Sequence, residues 1–230
     1  MAGLFVVFII SWFLLVKLKG ESIEAIGLLP TKQRLVEFFA GMFFMASIAV
    51  INFVWQADLK GISYSLNPDY TSWELLNGTF WVFRAVMFEE LVFRGALLYL
   101  LISRLGVVKA CLISSVIFGV YHWFSYDIFG SRLILMAYIF LVTGAGGWMF
   151  AYAFAKTKSL YAPVGLHLGW NLVTAIVFSS GPIGNQLLIQ QGEGNYSSEW
   201  ATLLFFSLQA VVAPGIVTWY LHRKRKSAND

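Results

Sequence analysis

The sequence predicts an all-α fold, a polytopic membrane bundle of about seven transmembrane helices that forms a single domain over residues 1–230. Three observations support this fold class: 59% of the 230 residues are hydrophobic, only 12% are charged, and the mean hydropathy is +0.72. Such a composition is typical of integral membrane proteins, since a soluble chain needs more polar surface. Polar links then divide the long apolar runs into separate spans.

Seven apolar segments predict the membrane-spanning helices. The first lacks a basic leader and a small-residue cleavage site, so we expect it to be retained rather than removed as a signal peptide. The loop at residues 179–199 is rich in Gly, Asn and Gln, and we expect it to be exposed and mobile. The predicted spans are, in order, residues 4–16, 35–55, 76–103, 109–124, 133–155, 160–178 and 201–221.

The distribution of basic residues predicts the orientation in the membrane. If the link after the first span is cytoplasmic, only Lys60 and Arg132 among the loop cations lie outside. By the positive-inside rule we expect an external N-terminus and a cytoplasmic C-terminus, in the plasma membrane. The cations placed inside are Lys17, Lys19, Lys32, Arg34, Arg104, Lys109, Lys156, Lys158, Arg223, Lys224, Arg225 and Lys226.

Charge and cysteine content exclude several classes of protein. The net charge of +4 comes largely from loops and the basic tail at residues 223–226, which favours contact with anionic lipid headgroups over nucleic acid. The single cysteine, Cys111, excludes an intrachain disulfide and a thiolate metal cluster. Gly144, Gly147, Gly165 and Gly169 have the spacing of small residues that let neighbouring helices approach closely. No feature of the sequence indicates an oligomeric state.

Four charged residues, Arg84, Glu89, Glu90 and Arg94, lie within the predicted third span, where an ionised side chain costs several kcal/mol or more. Glu90 and Arg94 are four residues apart, so they share one helix face and can form an ion pair. Glu89 points roughly 100° away and needs another partner, a proton or a water. Arg84, one turn earlier, is either a second neutralising charge or a side chain that reaches the outer interface.

Two later spans contribute further polar groups. His122 follows Phe118 by four residues in the fourth span, and Asn171 follows His167 by four residues in the sixth. A carboxylate and an imidazole can take the proton of a shared water, while a second imidazole and an amide can donate hydrogen bonds to an oxyanion. These groups are those required for amide hydrolysis.

Taken together, these patterns resemble the CPBP family of intramembrane proteases, also called the ABI family. That family groups the CAAX prenyl endopeptidases of the Ras-converting type with lysostaphin-resistance and bacteriocin-processing proteins. The resemblance covers roughly residues 80–178, which we expect to be the catalytic core. Its three motifs are Glu-Glu-x-x-x-Arg at Glu89, Glu90 and Arg94, Phe-x-x-x-His at Phe118 and His122, and His-x-x-x-Asn at His167 and Asn171.

The resemblance implies an intramembrane endopeptidase that acts on a peptide or a lipidated protein. It implies that Glu89 and His122 activate a water, that His167 and Asn171 form an oxyanion hole, and that the Glu90–Arg94 pair supports the site. Two alternatives stay open, a catalytically idle regulator or scaffold and, less favoured, a proton-coupled transporter.

The same resemblance allows two kinds of catalysis. We favour a glutamate mechanism without a cofactor, although two histidines and a glutamate could also hold zinc. No two histidines have the spacing of His-Glu-x-x-His.

Helical rise predicts the depth of the candidate residues. Counted from Arg104 and Lys109, Glu89 and His122 both lie roughly 20 Å into the membrane, with Asn171 at a similar depth. We therefore expect these three side chains to surround one water-sized polar cavity, with His167 on its cytoplasmic side. Because His167 lies one helical turn nearer the cytoplasm than Asn171, we expect this cavity to open towards the cytoplasm.

Overall fold

The structure is a computed structural model, and it describes residues 2–178, 183, 185–196 and 198–227, with residues 225–227 described by their backbone alone. Its main elements are α-helices joined by short links. In chain order they are α1 (Ala2–Lys19), α2 (Lys32–Lys60), α3 (Ser72–Arg94), α4 (Ala96–Leu105), α5 (Val107–Ser125), α6 (Leu133–Thr157), α7 (Tyr161–Leu172) and α8 (Glu199–Ser227). A 3-10 helix (Ile23–Ile26) precedes α2, and a π-helical segment (Val173–Phe178) continues α7.

The predicted class, a helical bundle in the membrane, is confirmed. Among the described residues, six helices are long and apolar enough to cross a membrane: α1, α2, α5, α6, α7 with its π-helical extension, and α8. Helix α3 has the length of a span, but most of its charged residues lie within the helix rather than at its ends. Its charged residues are Glu74, Arg84, Glu89, Glu90 and Arg94.

The predicted third span is wrong in one respect, because residues 76–103 do not form a single helix. Helix α3 ends at Arg94, Gly95 departs from helical geometry with ψ −137°, and α4 begins at Ala96. A Cβ atom at Gly95 would overlap the carbonyl oxygen of Leu91. The chain therefore turns sharply directly after Arg94, and only glycine fits at the turn.

Glycines bring the central helices into close contact, as the sequence predicted. A Cβ at Gly165 would overlap the Phe38 carbonyl, and one at Gly169 would overlap the Met42 carbonyl, so α7 lies directly against the backbone of α2. A Cβ at Gly147 would come within 3.0 Å of the Phe118 ring, which brings α6 close to α5. These contacts bring α7 close to α2 and α6 close to α5, because small residues permit backbone approach.

Helix α7 is the most enclosed element of the bundle. Residues 162–169 of α7 are all buried, whereas long stretches of the outer helices expose large apolar side chains. Phe43 on α2 and Leu133 on α6, for example, expose 65% and 81% of their surface. Such exposure suits contact with lipid, so α7 is the interior helix and the outer helices face the membrane.

A small antiparallel sheet covers one end of the bundle, and sequence reasoning missed it. Strand β1 (Ser63–Leu66) lies in the link before α3, and β2 (Leu188–Gln191) lies in the loop before α8. Below the sheet, the Asn67 amide donates to Asn185, whose own amide donates to Glu74 at the start of α3. Part of the 179–199 loop, which the sequence predicted to be mobile, thus forms strand pairs with β1. Residues 179–182, 184 and 197 of this loop lie outside the described residues.

Candidate active site

The last two turns of α3 hold the charged residues at the centre of the site. Nη1 of Arg94 donates to Oε1 of Glu90 at 3.2 Å, and both side chains are fully buried. The predicted ion pair between helix positions i and i+4 is therefore present. Because both charges have left water, the pair requires further partners to offset the cost of desolvation.

Arg94 finds those further partners on α5 and α6. Its Nη2 donates to the carbonyl oxygen of Gly147 at 3.2 Å. Its guanidinium carbon lies 4.1 Å from the centre of the Phe118 ring and 5.1 Å from that of Phe150. A guanidinium over an aromatic face gains a favourable cation–π interaction, so these groups hold Arg94 in a water-poor environment.

His167 connects the two glutamates across the interface between α7 and α3. Its Nδ1 lies 2.8 Å from Oε1 of Glu90, and its Nε2 lies 3.8 Å from Oε2 of Glu89. The imidazole also stacks on Phe150, with ring centres 4.7 Å apart and planes 14° from parallel. Both carboxylates therefore meet one imidazole, which is an arrangement that the helical spacing alone did not predict.

His122 lies on α5 and is fixed by its own helix. Its Nδ1 lies 2.8 Å from the carbonyl oxygen of Phe118, and its ring meets the rings of Phe118 and Tyr126 edge to face. A carbonyl oxygen can only accept, so Nδ1 carries the hydrogen. In a neutral imidazole Nε2 is then left free to accept a hydrogen bond.

Asn171 lies near the C-terminal end of α7, one turn after His167 and just before the π-helical segment. Its side chain is half-buried. Among the described residues, no hydrogen bond or ion pair joins Asn171 or His122 to Glu89. The water shared by Glu89 and His122, and the donation by Asn171 to an oxyanion, therefore stay predictions.

Glu89 differs from Glu90 in being partly exposed beside a cavity. Its side chain is 15% exposed while that of Glu90 is fully buried, although within the described residues Oε2 of each glutamate accepts no hydrogen bond. The residue lines a cavity of about 340 Å³ between α1, α3 and α5. A buried acceptor without a partner beside such a space is a natural position for a water.

Of the three residues predicted to surround one cavity, Glu89, His122 and Asn171, only Glu89 lines this one. The cavity also lies at the end of the bundle opposite to the predicted opening. Its walls come from the first turn of α1, the middle of α3 and the last turns of α5, at the end of the bundle where α3 begins. The sequence placed the opening at the opposite end, near Arg104 and Lys109. Helical rise gives the depth of a residue but not the side on which neighbouring helices leave space, which explains the error.

Arg84 lines the same cavity as Glu89, together with the aromatic residues Trp81, Phe88 and Tyr121. It is half-buried, and among the described residues it forms neither an ion pair nor a hydrogen bond. Of the two roles considered from the sequence, neutralisation of the acidic pair is therefore not seen.

Sequence reasoning missed two contributors from α6. Gly147 was interpreted only as a small packing residue, yet its carbonyl accepts from Arg94. Phe150 stacks on His167 and faces Arg94, but nothing in its local sequence separates it from the other 20 phenylalanines. A carbonyl contact and a ring stack between helices leave no signal in the periodicity of one helix.

The donor set does not have the arrangement of a metal site. No group of three His, Cys, Asp or Glu side chains in the described part of the chain is placed to hold a metal ion. Nδ1 of His167 already faces Glu90, and Nδ1 of His122 already donates to a carbonyl. The residues present therefore do not fit zinc as they stand, since a catalytic zinc needs three converging protein ligands.

The fold and the site define an integral membrane protein of the helical class, with a buried acid–base cluster beside a cavity in the bundle. Residues 71–173 match the model of a family described as Rce1-like, type II CAAX prenyl endopeptidase. The resemblance predicted from the three motifs is thus confirmed over this segment, and all seven motif residues lie within it. The match supports, at the level of the family, an intramembrane endopeptidase similar to the CAAX proteases. Searches of curated proteins and of solved structures found no match.

Proposed function

We propose that this protein is an intramembrane endopeptidase that hydrolyses a peptide bond at or within the membrane, with Glu89 as the general base. The observation that carries the proposal is the different environment of two adjacent carboxylates. Glu90 is fully buried and bound by Arg94 and His167, whereas the side chain of Glu89 is 15% exposed and lines a cavity. A base needs such access to water, and a structural acid does not.

Charge balance gives His167 its role in this proposal. A doubly protonated His167 would donate from Nδ1 to Glu90 and from Nε2 towards Glu89. Together with Arg94, it would make the cluster of two acids and two bases neutral, as groups at bilayer depth require. Its Nε2–H could then turn from Glu89 to the oxyanion as the substrate carbonyl is attacked.

His122 and Asn171 complete the proposed site. The free Nε2 of His122 suits it to accept a hydrogen bond from the attacking water. We assign to Asn171 a second hydrogen bond to the oxyanion, because an amide N–H is a good donor to a developing negative charge. In this scheme Glu89 takes one proton of the water while the water oxygen bonds to the carbonyl carbon of the substrate. Glu89 later passes that proton to the leaving amine as the peptide C–N bond breaks.

The family match and the location of the site support a class of substrate. We propose a peptide or lipidated protein presented from the bilayer, with membrane lipid as the surrounding partner and no nucleic acid. A regulator without activity would bind such a substrate and leave it whole, and a proton-coupled transporter would also leave it whole. Cleavage therefore separates the proposal from both alternatives.

A peptide with a prenylated cysteine and three further residues tests the activity in purified, detergent-solubilised protein. We expect cleavage without added metal and without stoichiometric zinc, because no described side chains converge as three zinc ligands. Mass spectrometry of the products and elemental analysis of the same sample give both results. An intact peptide would contradict the endopeptidase. Activity that disappears when bound zinc is removed and returns when zinc is added back would contradict the glutamate mechanism.

We further propose that the protein lies in the plasma membrane with its N-terminus outside. After replacement of the buried Cys111 by alanine, Lys224→Cys in the tail should resist an impermeant thiol reagent in intact cells. Glu193→Cys in the loop before α8 should react with it. Both positions are exposed, so exposure is matched between them. Labelling at position 224 without labelling at position 193 would reverse the assigned orientation.

A further inference from the structure

Arg84 is a charged residue that the proposed mechanism does not use. It lies twelve residues after the start of α3 at Ser72, or about 18 Å along the helix axis, level with the first turn of α1 and the last turn of α5. A half-buried guanidinium among aromatic side chains is costly unless it has a partner. Arg94 on the same helix shows the usual solution, with an acid, a carbonyl and aromatic rings around it. Among the described residues Arg84 has no comparable partner.

Glu89 does not serve as that partner. The five-residue spacing turns the two side chains roughly 140° apart around the helix, and Oε2 of Glu89 lies beside His167 instead. What Arg84 and Glu89 do share is the cavity, whose wall also includes Trp81 and Phe88. The missing counter-charge is therefore best supplied by a molecule that enters this cavity.

We propose that Arg84 forms a carboxylate-binding subsite for the substrate on which Glu89 acts. This inference rests on the proposed endopeptidase. A guanidinium binds a carboxylate through two parallel hydrogen bonds, and this pairing is strong where water is scarce. The aromatic neighbours exclude water from the pair and offer apolar contact to the rest of the peptide.

The spacing along α3 defines where that carboxylate lies in the substrate. Five residues of helix separate Arg84 from Glu89 by about 7.5 Å along the axis. An extended peptide covers about 3.3 Å per residue, so the carboxylate lies about two to three residues from the bond that is cut. It is either the C-terminal carboxylate of the chain or the side chain of an acidic residue at that distance.

Three forms of the prenylated peptide separate these sources: a free C-terminal acid, the C-terminal amide, and the amide with glutamate as its last residue. For the wild-type protein we expect the amide to have a KM about tenfold above that of the acid, in line with loss of one charge-assisted pair. Restoration by the glutamate form would show that any carboxylate at this position suffices. If the glutamate form keeps the high KM of the amide, the subsite binds the C-terminal carboxylate of the chain.

The variant Arg84→Gln should remove the preference for the acid, so that its KM values for acid and amide agree, while Arg84→Lys should keep part of the preference. Arg132→Gln, a cation in the link before α6, is the matched control and should behave as the wild type. Equal KM values for acid and amide in the wild type would overturn the proposal.

A second measurement keeps the test independent of catalysis. The variant Glu89→Gln retains Arg84, so fluorescence polarisation should still show tighter binding of the acid than of the amide, and Glu89→Gln/Arg84→Gln should show equal binding. Preference without cleavage in the wild type would contradict the endopeptidase and support the subsite. Cleavage without a preference for the acid over the amide would support the endopeptidase and contradict the subsite.

Discussion

Replacement of Glu89 by glutamine should lower kcat for peptide cleavage by about 10²- to 10⁴-fold, the usual contribution of a general base. Glutamine has nearly the same shape but cannot take the proton of a water. Because Glu89 is not part of the Glu90–Arg94 pair, the variant should insert, fold and melt like the wild type. Initial rates with the prenylated peptide and a thermal melt in the same detergent measure both effects.

The matched control for this variant is Glu193→Gln, at an exposed position of the loop before α8. It removes the same charge far from the cavity and should retain full activity. Wild-type turnover by Glu89→Gln would remove Glu89 from the mechanism. A variant that loses both activity and fold would instead assign Glu89 to the structural cluster.

Arg94→Ala should destabilise the protein by about 3–5 kcal/mol, which is the typical cost of removing one partner of a buried ion pair. The change leaves Glu90 fully buried with only His167 beside it and removes the cation from the faces of Phe118 and Phe150. We expect a lower melting temperature and aggregation in detergent, measured by differential scanning fluorimetry and size-exclusion chromatography.

Two further variants show that this effect comes from the stranded charge. Arg104→Ala changes an exposed arginine at the end of α4 and should melt close to the wild type, since exposed charges contribute little. Glu90→Gln combined with Arg94→Ala should be more stable than Arg94→Ala alone, because no ionised carboxylate remains without its arginine. If Arg94→Ala were as stable as the wild type, Glu90 would have to be protonated or hydrated.

Contacts within one helix could be derived from the sequence, because helical spacing fixes their geometry. The pair of Glu90 and Arg94 is an example, because residues four positions apart share a helix face whatever the rest of the fold does. The helical membrane class could also be predicted, since it follows from composition and from the length of the apolar runs. The three motifs then pointed to the family that residues 71–173 match.

Contacts between helices could not be derived in the same way. The helical spacing placed His167 on one face with Asn171 but gave it no acidic partner, and in the structure its imidazole meets Glu90 and Glu89. The break at Gly95 and the side on which the cavity lies were also missed. Each depends on how close two helices approach and at what angle, which is decided by surfaces far apart in the chain.

Composition and motif spacing were enough to establish the membrane class, the charged helix and the set of polar residues from which a catalytic site could be built. Which of these residues meet is visible only once the helices are packed together. Backbone hydrogen bonds set the spacing along a helix locally. The relative position of α3, α6 and α7 depends instead on packing, above all on Gly165 and Gly169 against α2 and on Gly147 against Phe118. Those packing contacts place His167 between the two glutamates and leave Glu89 beside the cavity.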